Sequence, residues 1–173
     1  MSYLRPAVRS PFVRKPALVL ATGFGLGFSP VAPGTVGSLL GLPIVWAFGA
    51  LGLPVWGQVL VCLAFAALCV PVASIGEKDL GRGKDPGPVV CDEYLTFPIC
   101  MIGMTDLWRE HVWLMPLCFA VARAFDIWKP QPARRLQILP AGLGITIDDF
   151  ITSCEALAVN WGLFLLLTRG FGL

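Results

Sequence analysis

Two pairs of adjacent carboxylates stand at the head of apolar stretches: Asp92-Glu93 in "KDPGPVVCDEYL" and Asp148-Asp149 in "GLGITIDDF". A third charged group, "VARAFDIWKPQPARR" at 121–135, spaces Arg123, Asp126 and Lys129 three residues apart. Arg123 and Asp126 then share a helix face. Lys129, directly before Pro130, is biased out of the helical region and projects from the helix end. Carboxylates brought together repel one another unless a cation binds them, and oxygen-only donors suit a hard ion such as Mg²⁺. Mg²⁺ favours one or two carboxylates, retained waters and a substrate phosphate. Arg offers phosphate a bidentate fork and Lys a point charge. Acids beside Arg123 and Lys129 therefore point to phosphate chemistry.

Simpler readings stand beside this one. Each acidic pair could cap the positive end of a helix, though two pairs on one face are harder to explain that way. Arg134 and Arg135 fit a membrane-surface anchor better than a ligand site. In "SPVAPGTVGS" (29–38), Gly34, Thr35 and Gly37 lead into a helix expected to start near Thr35 or Ser38, either a good N-cap. Free backbone N–H groups there could cradle an anion; alone the signal is weak, and it is not a Walker loop.

The elements that must position these groups are membrane helices. The chain of 173 residues is 56% hydrophobic and only 14% charged, with a mean hydropathy of +0.75, where a soluble domain is nearer one quarter charged. The net charge of +2 is small, and no aromatic-interleaved basic patch occurs, so nucleic-acid binding is set aside. The six cysteines form no CxxC pair and read as small buried thiols. The basic start has no clean cleavage site after it and is not a signal peptide.

The fold class expected is all-α, a polytopic membrane protein of about four to five membrane-embedded helices with a Gly/Pro-broken N-terminal segment. Residues 1–16 read as a basic cytosolic tail and 17–173 as one helical domain. Within it, 17–37 reads as a short helix followed by turns, and 38–53 and 54–74 carry no charge. Further apolar segments are expected at 89–104, 112–124 and 150–168, separated by polar loops at 76–93 and 125–149. With the N-terminus cytosolic, only Arg109 and Arg169 of the 13 Lys and Arg fall outside; the reverse orientation translocates eleven. The same orientation gathers Asp79, Asp85, Asp92, Glu93, Asp126, Asp148 and Asp149 on the cytosolic face.

Several phosphatase chemistries are excluded. His111 is the only histidine, so mechanisms needing a histidine nucleophile and a second histidine cannot run. Cys118 and Arg123 have four intervening residues, not the five of a cysteine phosphatase loop. Neither DxDx[TV] nor the acidic pattern of CDP-alcohol transferases occurs.

In order and spacing, "ATGFGLGFSPVAPGTVGSL" (21–39), "KDPGPVVCDE" (84–93), "FDIWKPQP" (125–132) and "GLGITIDDF" (142–150) resemble the phosphatidylglycerophosphatase A family, over about residues 20–165. The resemblance implies a helical, Mg²⁺-dependent phosphomonoesterase that converts phosphatidylglycerophosphate to phosphatidylglycerol at the cytosolic face of a bacterial inner membrane. The positions it carries over are Gly34, Thr35, Lys78, Asp79, Asp92, Glu93, Arg123, Asp126, Lys129, Asp148 and Asp149. Cys91, Thr96, Gln131, Ala141, Thr152 and Ser153 depart from the family pattern, but every charged position is kept.

The mechanism expected has Asp92, Glu93, Asp148 and Asp149 holding Mg²⁺, with Gly34, Thr35, Lys78, Arg123 and Lys129 binding the substrate phosphate. Asp79, Asp126 and Asp149 are the candidate catalytic acids, acting through either direct water attack or a covalent aspartyl-phosphate. Two alternatives use the same residues differently: a non-enzymatic cation or proton carrier, and a structural protein whose acids cap helices. A carrier has no need of Arg123 and Lys129 beside its acids.

Overall fold

The structure is a computed structural model that describes residues 11–80 and 86–171. Among the described residues every regular element is helical. Arg5, Arg9, Lys84 and Asp85 lie outside them. Residues 11–16, expected in the tail, form the first half of helix α1 (Pro11–Ala21).

Three stretches of the described residues are long and apolar enough to cross a bilayer. The first is Pro33–Ala50, made of α2 (Pro33–Ser38) and α3 (Gly41–Ala50). The second is α4 (Val55–Leu80) and the third is Gly142–Arg169, nearly all of α9 (Gly142–Phe171). At 1.5 Å per residue α4 and α9 reach about 39 and 45 Å, more than the hydrocarbon core of about 30 Å. Their polar ends therefore stand in or beyond the headgroup region. α2 begins at Pro33 rather than at Thr35 or Ser38. A proline loses nothing at a first helical position, where its missing N–H would be unpaired anyway.

The apolar segments expected at 89–104 and 112–124 do not become long helices. The first is α5 (Cys91–Thr96) followed by a 3-10 turn (Phe97–Met101), broken where Pro98 can donate no backbone hydrogen bond. The second lies in α7 (Leu114–Trp128), which at 15 residues is shorter than the roughly 20 a crossing needs. The first is buried almost throughout, whereas α7 buries one face (Leu114, Cys118 and Ala122) and leaves Pro116, Ala120, Ala124, Ile127 and Trp128 exposed. α9 packs on the 3-10 turn, α7 and α4, while α5 lies against α4 and α9. The polar stretches expected as loops are partly helical too: α4 runs on to Leu80, α7 reaches Trp128, α8 spans Ala133–Leu136, and α9 starts at Gly142.

Among the described residues three apolar clusters hold this arrangement, the smallest joining Phe48, Cys62 and Ile99. Of the two larger ones, one joins Val45, Phe97, Met101, Met104, Trp108, Leu114 and Cys118. The other joins Ala21, Cys69, Val72, Val89, Cys91, Tyr94 and Ile145. Five cysteines are buried and all six are free, as read from the sequence. Buried amides fasten the turn after the 3-10 element. Gln58 donates to Leu53 O and Thr105 Oγ1 and accepts from Gly103 N, while Asn160 donates to Cys100 O.

The start of α9 is set by a close backbone approach. A methyl group on Gly142 would overlap the Val70 carbonyl and stand 2.6 Å from Ser74 N, and Gly142 N donates to Ser74 Oγ at 3.0 Å. This contact fixes the height of Asp148 and Asp149 against α4. Gly142→Ala should therefore lower the thermal midpoint in detergent, by a destabilisation of about 1–3 kcal/mol. Gly162→Ala, where an added methyl meets nothing within 4 Å, should leave it unchanged or raise it. Equal effects at the two sites would remove the close approach as the cause.

Candidate active site

The site is built by four short runs of residues. α5 carries Asp92 and Glu93 in its first turn, where the positive helix end favours them. α7 presents Arg123 and Asp126 on one face, their side chains paired at 2.6 Å, as the three-residue spacing requires. Lys129 ends α7 with a left-handed φ of 46°, a conformation uncommon outside glycine. Its ammonium reaches 2.5 Å from Asp148, 3.3 Å from Asp149 and 3.7 Å from Asp126. Asp148 and Asp149 lie in the second turn of α9, six and seven residues after Gly142, so they are not its cap.

Arg123 is the hinge of the arrangement. Its Nη1 donates to Glu93 Oε2 and, at 2.9 Å, to Ser38 Oγ. The Ser38 hydroxyl lies 3.0 Å from the same Glu93 oxygen and 2.8 Å from Gly34 O, so its one proton serves one of these acceptors. Gly34 is pressed against the pair: a methyl there would overlap Glu93 Oε1 and stand 3.3 Å from Arg123 Nη2. Gln137 Nε2 donates to Asp148 Oδ2 at 2.7 Å.

Glu93, Asp126 and Asp149 each offer a carboxylate oxygen, all within 4.8 Å of one another. With Ser38, Thr96, Arg123, Thr152 and Ser153 they line a small cavity. About 10 Å³ of it is open to the centre of a water-sized sphere, room for one water or one small ion. Asp92, buried in α5, adds its charge to the same group. Five carboxylates thus face two cationic side chains. Burial first, and then Asp126, push the Glu93 carboxyl up to about 7 against the opposing pull of Arg123. Burial works against the Lys129 ammonium, but Asp149, Asp148 and Asp126 outweigh it and hold it protonated above its usual range.

The structure places the expected residues in different surroundings. The three acids that converge are Glu93, Asp126 and Asp149, whereas Asp148, expected with the metal ligands, is engaged by Lys129 and Gln137. Asp79 pairs with Arg14 of α1 at 2.5 and 2.7 Å, and Lys78 is exposed near the end of α4. Thr35 is half-buried in α2. Ser38 and Gln137 were not expected. Ser38 stands four residues after Gly34, on the same helix face, which is a readable signal; Gln137 lies in an irregular polar stretch with none.

Residues 19–164 match the family model described as phosphatidylglycerophosphatase A. Among named relatives, phosphatidylglycerophosphatase A of Haemophilus influenzae is 37% identical over 150 residues, covering 83% of this chain and 86% of the relative. Phosphatidylglycerophosphatase A of Escherichia coli is 34% identical over 138 residues, 77% of this chain and 74% of the relative. A Bacteroides thetaiotaomicron protein with the provisional name phosphatidylinositol-3-phosphatase is also 34% identical over 138 residues, 78% of this chain and 84% of the relative. No solved structure matches the chain.

Two substitutions test the geometry. Lys129→Met leaves the buried Asp148 without its counter-charge and should cost about 3–5 kcal/mol of stability, read by thermal unfolding in detergent. Adding Asp148→Asn should recover most of that loss; no recovery in the double variant would break the pairing account. Gly34→Ala should displace Glu93 and Arg123 and abolish turnover while the protein still folds. Full activity in that variant would show that α2 does not press on the site.

Proposed function

The chain belongs to the phosphatidylglycerophosphatase A family, and from that membership we propose that it is a Mg²⁺-dependent lipid phosphatase. It hydrolyses phosphatidylglycerophosphate to phosphatidylglycerol and phosphate, at the cytosolic face of a bacterial inner membrane. The observation that carries this reading is the trio Glu93, Asp126 and Asp149 around a small cavity, with Arg123 and Lys129 at its edge. The membrane-crossing stretches support a substrate whose acyl chains stay in the bilayer. The excess of Lys and Arg on one side supports the cytosolic placement.

The donor set fits Mg²⁺. It is oxygen-only, it carries more negative charge than its two cationic partners neutralise, and it leaves room for one small ion. Glu93, Asp126 and Asp149 would hold the ion, with Asp92 adding negative charge behind them. Bound there, Mg²⁺ would polarise a phosphoryl oxygen and lower the pKa of a coordinated water.

The remaining work falls to the chain itself. Arg123, steadied by Ser38 and Asp126, and Lys129, steadied by Asp148, bind the phosphate oxygens and offset charge that develops as the ester bond breaks. Gln137 keeps Asp148 turned toward Lys129. Asp126, between the two cations, keeps them in place, and a carboxylate of the site accepts a proton from the attacking water and returns it to the departing glycerol oxygen. The new bond is phosphorus to water oxygen, and the bond lost is phosphorus to that glycerol oxygen. The Bacteroides relative's name also describes a phosphate monoester on a lipid headgroup, so the headgroup itself is open to test.

Phosphate release should be measured from phosphatidylglycerophosphate in detergent micelles, with Mg²⁺ and with EDTA. Release that depends on Mg²⁺ is expected. Release untouched by EDTA would remove the metal, and none with Mg²⁺ present would remove the lipid phosphatase. Faster release from phosphatidylinositol 3-phosphate would overturn the glycerophosphate headgroup. Arg123→Met should lower kcat by about 10²–10³-fold with the fold retained. Acid-quenched enzyme turning over ³²P-labelled substrate should carry no label, and retained label would replace water attack with an aspartyl-phosphate.

A further inference from the structure

The segment between α1 and α2 exposes a run of large apolar side chains: Phe24, Leu26, Phe28 and Val31, with Phe28 61% and Val31 73% exposed. No charged residue occurs between Lys15 and Glu77. In water such a patch would be a liability.

The inner side of the segment is fastened. Gly27 N donates to Thr22 O at 2.9 Å, and a methyl on Gly27 would overlap the Pro88 carbonyl. Val90 N donates to Ala21 O at 2.8 Å. The segment is thus held against residues 88–90, which lead directly into Asp92 and Glu93. It also leads into α2, whose Gly34 and Ser38 touch Glu93.

Its height relative to the bilayer follows. The membrane-crossing stretch Pro33–Ala50 starts two residues after Val31, so the segment meets the membrane at that end of the crossing. Gly34 and Ser38 lie in the first turns of the same crossing, so the site opens at that boundary too. Uncharged Phe, Leu and Val at such a boundary enter the zone between headgroups and acyl chains. The patch is continuous with the membrane-embedded surface, which identifies its occupant as lipid rather than protein.

Resting on the proposed lipid phosphatase activity, we propose that Phe24–Val31 is a lipid-inserted lip of the site, seated in the leaflet so that a lipid phosphate reaches Arg123 and Lys129 sideways from the membrane. The lip holds the acyl chains of the incoming lipid beside the cavity.

The full chain in phosphatidylcholine vesicles tests this in two ways. A nitroxide is placed at Phe28→Cys in a Cys154→Ser background, because Cys154 is the exposed thiol among the native cysteines. Collisions with oxygen should dominate over those with a water-soluble nickel chelate. Dominant nickel collisions place the lip in water, and shielding from both reagents places it under protein such as a second copy; either overturns the proposal. Phe28→Ser with Val31→Ser should lower kcat/KM on long-chain substrate in vesicles about tenfold, and change it less than about twofold on a short-chain monomeric analogue. Equal losses on both substrates would make the residues structural and overturn the lip. Failure of the unsubstituted protein to hydrolyse either substrate would count against the phosphatase reading, and the nitroxide result would still decide where the lip lies.

Discussion

Five carboxylates confined with two cations is the constraint on which the rest of this molecule depends. Asp92, Glu93, Asp126, Asp148 and Asp149 come from three separate helices and meet where water is scarce. Arg123 and Lys129 each bridge two or more of them. The excess negative charge underlies the proposed Mg²⁺ site, and the two bases underlie the proposed phosphate contacts. A phosphate monoester with a divalent ion would satisfy both demands together. Buried charge of this density is costly, and the surrounding fold is arranged to sustain it. A residue at left-handed φ, Lys129, is retained at the point where its ammonium reaches three carboxylates.

The apolar frame supplies the positioning. α4 and α9 are long enough to cross the bilayer; the shorter α5 and the 3-10 turn after it are buried against them, and the shorter α7 packs one face on α9. These short elements carry four of the seven charged groups of the site, along with Lys129 at the end of α7. Packed on the rest of the protein along the side that bears these groups, their polar ends can be used for chemistry, because irregular backbone at membrane depth is tolerated only where protein or a cavity surrounds it. Close approaches at Gly34 and Gly142 set the spacing between elements. In this fold a methyl group at either glycine would be felt at the carboxylates.

Much of this could be read without coordinates. The all-helical membrane class followed from composition, and the two longest crossings from uninterrupted apolar runs. The partnership of Arg123 with Asp126 followed from a spacing of three, and the exit of Lys129 from its position before proline. The elements misread were those whose hydrophobicity has two explanations. Residues 89–104 are apolar because they are buried in the protein, whereas 112–124 lie mostly in a 15-residue helix that buries only one face, and hydropathy alone does not distinguish lipid from core. The helix ends were misplaced for a related reason. Polar residues at 76–80, 125–128 and 142–149 continue helices whose partners, such as Arg14 for Asp79, lie far away in the chain.

The sequence by itself determined which residue types were present for phosphate and cation chemistry, and which apolar runs could cross. Those are consequences of local spacing and of transfer energy, which each segment carries alone. Only the tertiary structure decided which acids meet: Glu93 with Asp126 and Asp149 in the cavity, Asp148 turned to Lys129 and Gln137, and Asp79 drawn off to Arg14. Carboxylates are chemically alike along the chain. Which of them share a cation is settled by distances between helices, and those depend on packing contacts between residues far apart in sequence.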